Sequence, residues 1–309
     1  MTVTVLRPAG NTLSAGPLRR LRADPKEKDM LLGTIFLLAL SAAAGICFWT
    51  DAFQSLAWLW VFPVSFIGAV LIEAGIVFAV IMLMVKAVDF EKPQEKDSKP
   101  YRFVIQLLAQ AAVPILSVRM HTEGLEKRPK KGRFFVVCNH LNEMDPVILL
   151  RYFPKSQLTF ISKQENKEMF VVGPFLHKIQ GQFINRDNDR QALRSIIKCI
   201  EILREDRGSV AVFPEGYIHD DKKLHRFRSG VFKIAQKTKV PIVVCTVQNT
   251  PPVFHNGLRL KKTHVHFHVL DVIQPQEYEA MTTVELGNKV YEMMAADLGP
   301  ENVSDEQAE

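Results

Sequence analysis

Cysteine is scarce in this chain of 309 residues: the four present, Cys47, Cys138, Cys199 and Cys245, are scattered and form no Cys-x-x-Cys pair. That spacing argues against both a zinc knuckle and a disulfide framework, and buried reduced thiols are the reading that remains. A Gly-x-Ser-x-Gly turn is also missing, which weighs against the common esterase nucleophile. The formal net charge is +6, yet no nucleic-acid-binding motif accompanies it. The charge therefore suits anionic lipid or a phosphate-bearing substrate, and nucleic acid is not expected as a partner. No internal repeat is present. Charge is absent altogether from Leu31 to Trp49, and Ala57 to Val85 holds one ionisable residue, Glu73.

Those two runs read as membrane spans. The first has about the 20 apolar residues a helix needs to cross a hydrocarbon core, and the second is long enough to cross with tilt or with a kink near Pro63. A buried soluble hairpin is the weaker reading, because core helices are usually shorter and carry a polar stripe. Arg7, Arg19, Arg20, Arg22, Lys26 and Lys28 precede the pair and Lys86 follows it, whereas the connecting turn holds only Asp51. Positive charge thus places both chain ends, and everything after the hairpin, on the cytoplasmic side. A cleaved signal peptide fits poorly, since the first run starts late and a second follows at once. Trp49, Trp58 and Trp60 suit the outer interface, with ordinary packing as the alternative. Glu73 either marks a function or faces the first helix in protonated form.

The expected organisation is a basic cytoplasmic segment over 1–29, a two-helix anchor over 30–88, a charged linker over 89–100 separating anchor from catalytic domain, a domain over 101–299 and an acidic disordered tail over 300–309. Tyr101 to Met120 is too interrupted for a third crossing and reads as an interfacial or packed helix. Beyond Arg133, short apolar runs alternate with helical segments, the pattern of an α/β fold: a mixed sheet covered by helices on both faces. Strands are predicted over Phe134 to Cys138, Leu158 to Ser162, Gln182 to Ile184, Ser209 to Phe213, Ile242 to Val247 and Thr263 to Leu270. Helices are predicted over Asp189 to Glu205, Val231 to Lys237 and Thr283 to Leu298, and Asp145-Pro146 reads as an N-cap followed by proline at the first helical position.

The chemistry centres on Asn139-His140-Leu141-Asn142-Glu143-Met144-Asp145. On one helix, His140 and Asp145 would point about 140° apart. A loop can bring them together, so that Asp145 fixes the imidazole tautomer and His140 acts as a general base. Taken alone, the segment supports equally a plain cap beside a solvated histidine. Phe213-Pro214-Glu215-Gly216 puts a carboxylate and a turn glycine at a strand end, and Gly181 to Arg186 puts a guanidinium at another, where it can grip phosphate or form a surface ion pair.

Together with Val240-Pro241-Ile242-Val243, Ser162-Lys163-Gln164-Glu165 and Gly173-Pro174, these blocks occur in an order that resembles the glycerophospholipid acyltransferase family, over about Arg133 to Thr246. The best-known members of that family are 1-acylglycerol-3-phosphate acyltransferases. The resemblance implies transfer of a fatty acyl group from acyl-CoA or acyl carrier protein, as donor substrate and without a cofactor or metal, to a lysophospholipid hydroxyl, most readily 1-acylglycerol-3-phosphate. It makes His140 the base and Asp145 its orienting partner, with backbone amides near the turn stabilising the oxyanion. Arg186 and Lys163 would hold the acceptor phosphate, Glu215 and Gly216 would shape the glycerol pocket, and Asn139 is counted among the substrate-binding positions.

One departure stands out. The family continues its third block with Thr-Arg-Ser, whereas this chain reads Gly216-Tyr217-Ile218-His219-Asp220, with Ile218 at the arginine position. Arg226 and Arg228 either replace that guanidinium in substrate binding or lie on a solvated loop. Another lysolipid acceptor, a hydrolase using the same pair on water, and a silent membrane scaffold are the rival readings. His264, His266 and His268 alternate on a predicted strand and share one face, where a polar surface is a better reading than a metal site. Acyl chain length and oligomeric state are not legible.

Overall fold

The computed structural model describes residues 30–185 and 189–305. The basic segment before residue 30, Arg186 and the last four residues lie outside them. Helices α1 (Met30–Trp49) and α2 (Trp58–Lys86) pair as a hairpin. Ala39, Ala43 and Cys47, spaced four apart, form a buried seam of small side chains along α1, and Phe36 meets Phe66 edge to face with centroids 5.6 Å apart. Small residues allow the close approach on which helix pairs in lipid depend. Outside that seam the large apolar side chains point outward, and none of α2 is buried, as expected of two helices long and apolar enough to cross a membrane.

The linker is not a free spacer. Ser98 N donates to Lys178 O at 3.0 Å, Lys178 Nζ to Gln94 Oε1 at 3.1 Å, and Arg207 donates to Glu95 O. Arg102, almost fully buried, pairs with Asp97 at 2.9 Å and donates to Leu158 O at 2.7 Å. Tyr101 at the start of α3 (Lys99–Ile115) donates to Met84 O of α2 at 2.7 Å, tying domain to hairpin. The predicted helix from Tyr101 to Met120 stops early. Pro114 lies in its last turn, Ser117 takes φ 55°, and strand β1 (Val118–Glu123) begins. Its Val118 and Met120 point into the core and Arg119 points out, a period of two hidden behind the apolar helix that precedes it.

Further along come β2 (Phe135–Cys138), α4 (Asp145–Tyr152), β3 (Thr159–Lys163), α5 (Val172–Lys178), β4 (Gln182–Ile184), α6 (Asp189–Arg204), β5 (Val210–Val212), α7 (Lys233–Thr238), β6 (Ile242–Gln248), α8 (Val253–Leu258), β7 (Thr263–Ile273), α9 (Pro275–Tyr278) and α10 (Thr283–Leu298). Among the described residues the strands form one sheet in the order β1-β7-β6-β2-β5-β3-β4. Strands β6, β2, β5, β3 and β4 are mutually parallel, β7 runs against β6, and β1 runs with β7. The sheet is mixed and helix-covered, as predicted. β2 is buried along its whole length, which is why it reads as an unbroken apolar run. Val136 and Cys138 face a core shared with α3 and α4, while Phe135 and Val137 face one shared with α6, α7 and α10.

All four cysteines are buried and free, and burial pushes the Cys199 thiol up to about 12. The tail is ordered further than predicted. Pro300–Asn302 forms a 3-10 turn, and Val303 bridges to Leu224, whose N–H donates to Asn302 O at 2.8 Å. Val303 packs against the α6 to α10 core, which gives an otherwise polar tail an apolar foothold.

Candidate active site

The carboxyl ends of the five parallel strands share one edge of the sheet, where α/β folds expose their functional groups. His140 lies two residues past β2, and its Nδ1 is 2.9 Å from Asp145 Oδ2. The same oxygen accepts Leu141 N at 2.6 Å and Asn142 N at 2.8 Å, so loop 140–145 is wound around one buried carboxylate. This corrects the capping assignment. Met144 is the N-cap and Asp145 the first helical residue, its side chain aimed back at three loop donors and away from its own helix. With Asp145 ionised, the ring contact requires Nδ1 to carry the proton, which leaves Nε2 as the nitrogen turned away from the carboxylate. The ring stacks on Phe213, centroids 4.1 Å apart and planes 19° from parallel.

Glu215 ties this loop to the next strand end. Its Oε1 accepts His140 N at 2.7 Å and its Oε2 accepts His225 N at 2.9 Å. Burial pushes its carboxyl up to about 8, against the pull of those two N–H groups. Glu215 is thus a buried brace between two loops, from which it can shape a pocket only through the loops it holds. Gly216 follows with φ 85°, a conformation in which any side chain would be strained. Asn139 also departs from its assignment. It is fully buried, and its side chain both accepts Val247 N at 2.8 Å and donates to Val247 O at 2.9 Å, clamping the His140 loop to β6. The oxyanion reading loses its nearest donors as well, since the amides of His140, Leu141 and Asn142 are committed to Glu215 and Asp145.

Lys163 is exposed at the end of β3, in register with Ile184 of β4 and therefore beside the segment that leads to Arg186, which lies outside the described residues. Arg228 is exposed but held: its guanidinium lies 4.9 Å from the centre of the Tyr217 ring and donates to Tyr217 Oη at 3.1 Å. Arg226 is exposed on the same loop. Sequence reasoning missed a second histidine and carboxylate pair here. His225 Nε2 lies 2.9 Å from Asp221 Oδ1, and His219 stacks on His225 at 3.6 Å. The four-residue spacing of Asp221 and His225 was the available signal. His264, His266 and His268 do share a half-exposed face of β7, where His264 meets His121 of β1 at 2.8 Å and His268 meets Asp297 at 3.0 Å.

The family described as Acyltransferase matches residues 119–248, a span that encloses every candidate named above between Asn139 and Arg228. A probable 1-acyl-sn-glycerol-3-phosphate acyltransferase of Mycoplasma pneumoniae is 30% identical over 209 residues, covering 64% of this chain and 76% of that protein. The chain belongs to this acyltransferase family. A 1-acyl-sn-glycerol-3-phosphate acyltransferase of Borreliella burgdorferi is 29% identical over 172 residues, or 53% of this chain and 67% of its own length. The crystal structure of the 1-acyl-sn-glycerophosphate (LPA) acyltransferase PlsC from Thermotoga maritima shares the fold, with a TM-score of 0.55 and 24% identity over 75% of this chain and 90% of that one. This acyltransferase therefore carries its histidine and aspartate on the family fold, at the carboxyl edge of the sheet.

Proposed function

We infer that this acyltransferase moves a fatty acyl group from a thioester, on coenzyme A or acyl carrier protein, to the free hydroxyl of 1-acylglycerol-3-phosphate, giving phosphatidic acid. The observation that carries the reading is the contact of His140 Nδ1 with Asp145 Oδ2 at 2.9 Å, which turns Nε2 away from the carboxylate. In that reading Nε2 takes the hydroxyl proton as the oxygen attacks the thioester carbonyl carbon. The tetrahedral intermediate then collapses, the carbon–sulfur bond breaks, and the imidazolium returns the proton to the leaving thiolate. Asp145 supports the charge on the ring throughout, and general-base assistance of this kind contributes about 10²- to 10⁴-fold.

Lys163, Arg186 and the Tyr217-supported Arg228 are the cations offered to the acceptor phosphate. Arg228 supplies a guanidinium on the loop where Ile218 does not. The hairpin holds the domain at the membrane in which the acceptor resides, with both chain ends and the catalytic domain in the cytoplasm. The test is purified protein, a panel of lysolipid acceptors and both donor types, with mass spectrometry of the product. Phosphatidic acid formed by the wild type and lost in His140→Ala supports the reading. Thiol release that proceeds equally without any acceptor would indicate a hydrolase instead.

A further inference from the structure

Opposite Lys163 along the carboxyl edge, a short turn carries apolar side chains that the interior does not use. α8 presents Phe254 and, one turn on, Leu258; Leu260 follows in the loop to β7. Leu258 is 87% exposed and Leu260 81%, and Ile115 at the adjoining end of α3 is 58% exposed. Leu260 also holds φ 54°, a left-handed conformation that a bulky residue adopts at a cost and that gains nothing in water. The turn is rigid. Leu260 N donates to Gly257 O at 3.0 Å and Lys261 N to Asn256 O at 2.9 Å. Gly257 lies so close to Leu116 that a Cβ there would fall 2.8 Å from its Cδ2. Arg259, Lys261 and Lys262 stand exposed among the leucines, and residues 249–264 contain no aspartate or glutamate.

Apolar tips collared by cations match one partner, the surface of an anionic phospholipid bilayer, where the leucines reach the acyl boundary and the cations meet headgroup phosphates. Two further observations favour that occupant over a protein. The turn lies at the far end of α3 from Tyr101, which is bonded to the end of α2, so it would give a second contact about 21 Å along that helix from the hairpin exit. It also starts just beyond Val247, the residue clamped by Asn139, so the edge that bears His140 is tied to it. We propose that the α8–β7 turn is a membrane-seating wedge that holds the open edge of the sheet against the bilayer, where a lipid acceptor can slide to His140 without leaving the membrane.

Depth-dependent quenching in the full chain tests this without reference to acyl transfer. Native cysteines are buried, so Leu258→Cys and Lys131→Cys can be labelled separately with an environment-sensitive fluorophore; Lys131 is exposed just before β2, at the opposite edge. The proteins are reconstituted in vesicles of three parts phosphatidylcholine to one part phosphatidylglycerol, with and without brominated acyl chains. The expected result is a blue-shifted label at 258 that loses fluorescence in brominated vesicles, while the label at 131 does not. Equal, solvent-like behaviour at both positions overturns the proposal. With the label moved to Phe254→Cys, adding Leu258→Asp and Leu260→Asp should abolish the quenching. The same pair should slow transfer to a vesicle-embedded lysolipid and leave transfer in mixed detergent micelles unchanged. Undiminished quenching in the aspartate pair is the second overturning result.

Discussion

At the residue scale, one oxygen of Asp145 does most of the organising, because it accepts two loop amides and the imidazole at once. Asp145→Asn keeps an oxygen for the loop donors but removes the charge that supports an imidazolium in the proposed mechanism. The expected outcome is a fall in kcat of about 10²- to 10⁴-fold with KM little changed, measured by steady-state thiol release. It should also cost about 1 to 3 kcal/mol of stability, since the new amide nitrogen lands where Oδ1 is now buried without a partner. Glu215 makes a pH prediction. Its folded-state carboxyl is raised from 4.5 to about 8, so between those values the folded state binds more protons than the unfolded state. Its contribution to stability is therefore fully present below about pH 4.5 and is lost as pH rises through about 8. Glu215→Gln should flatten that decline, read as the difference in thermal midpoint between about pH 5 and about pH 9 in wild type and variant.

At the scale of elements, the site is a problem of joining strand ends. β2, β5 and β6 bring His140, Glu215 and Val247 to one edge, and the side chains of Glu215 and Asn139 tie those ends together. Asn139→Leu leaves both backbone groups of Val247 unpaired in the interior. The cost should be roughly 2 to 6 kcal/mol, at about 1 to 3 for each orphaned group, checked by chemical denaturation in detergent. The seam between linker and domain gives another outcome. Arg102→Ala strands Asp97 in a pair that is almost fully enclosed, and breaking such a pair costs about 3 to 5 kcal/mol. Proteolysis within residues 87–98 should quicken in that variant. Most strands and the long helices were legible, because β2 is an unbroken apolar run, β6 opens with four apolar residues and α6 and α10 repeat at helical spacing. β1 and α8 were not, since each is short and adjoins a stronger pattern or a proline pair.

At the scale of the whole molecule, a hairpin of outward-facing apolar side chains joins a domain whose apolar side chains mostly point in. The charge asymmetry across the hairpin predicts that its turn faces away from the domain. Labelling intact cells with a membrane-impermeant thiol reagent should therefore modify Ser55→Cys, in the turn, and spare Lys131→Cys until the membrane is opened. Modification of both, or of Lys131→Cys alone, would reverse the topology.

Periodicity, charge-free length and the order of short blocks are properties of the chain itself, and from them the sequence alone determined the α/β class, the hairpin and the family. They are local, so they carry no information about which oxygen meets which N–H. Only the tertiary structure decided that Asp145 folds its own loop around itself, that Asn139 and Glu215 brace strand ends, and that Arg228 is held on Tyr217. The Asn139 and Glu215 pairings join different strand ends and the Asp145 and Arg228 pairings close within their own loops, and a side chain's choice between capping, bracing and binding depends on which donors the fold brings within about 3 Å.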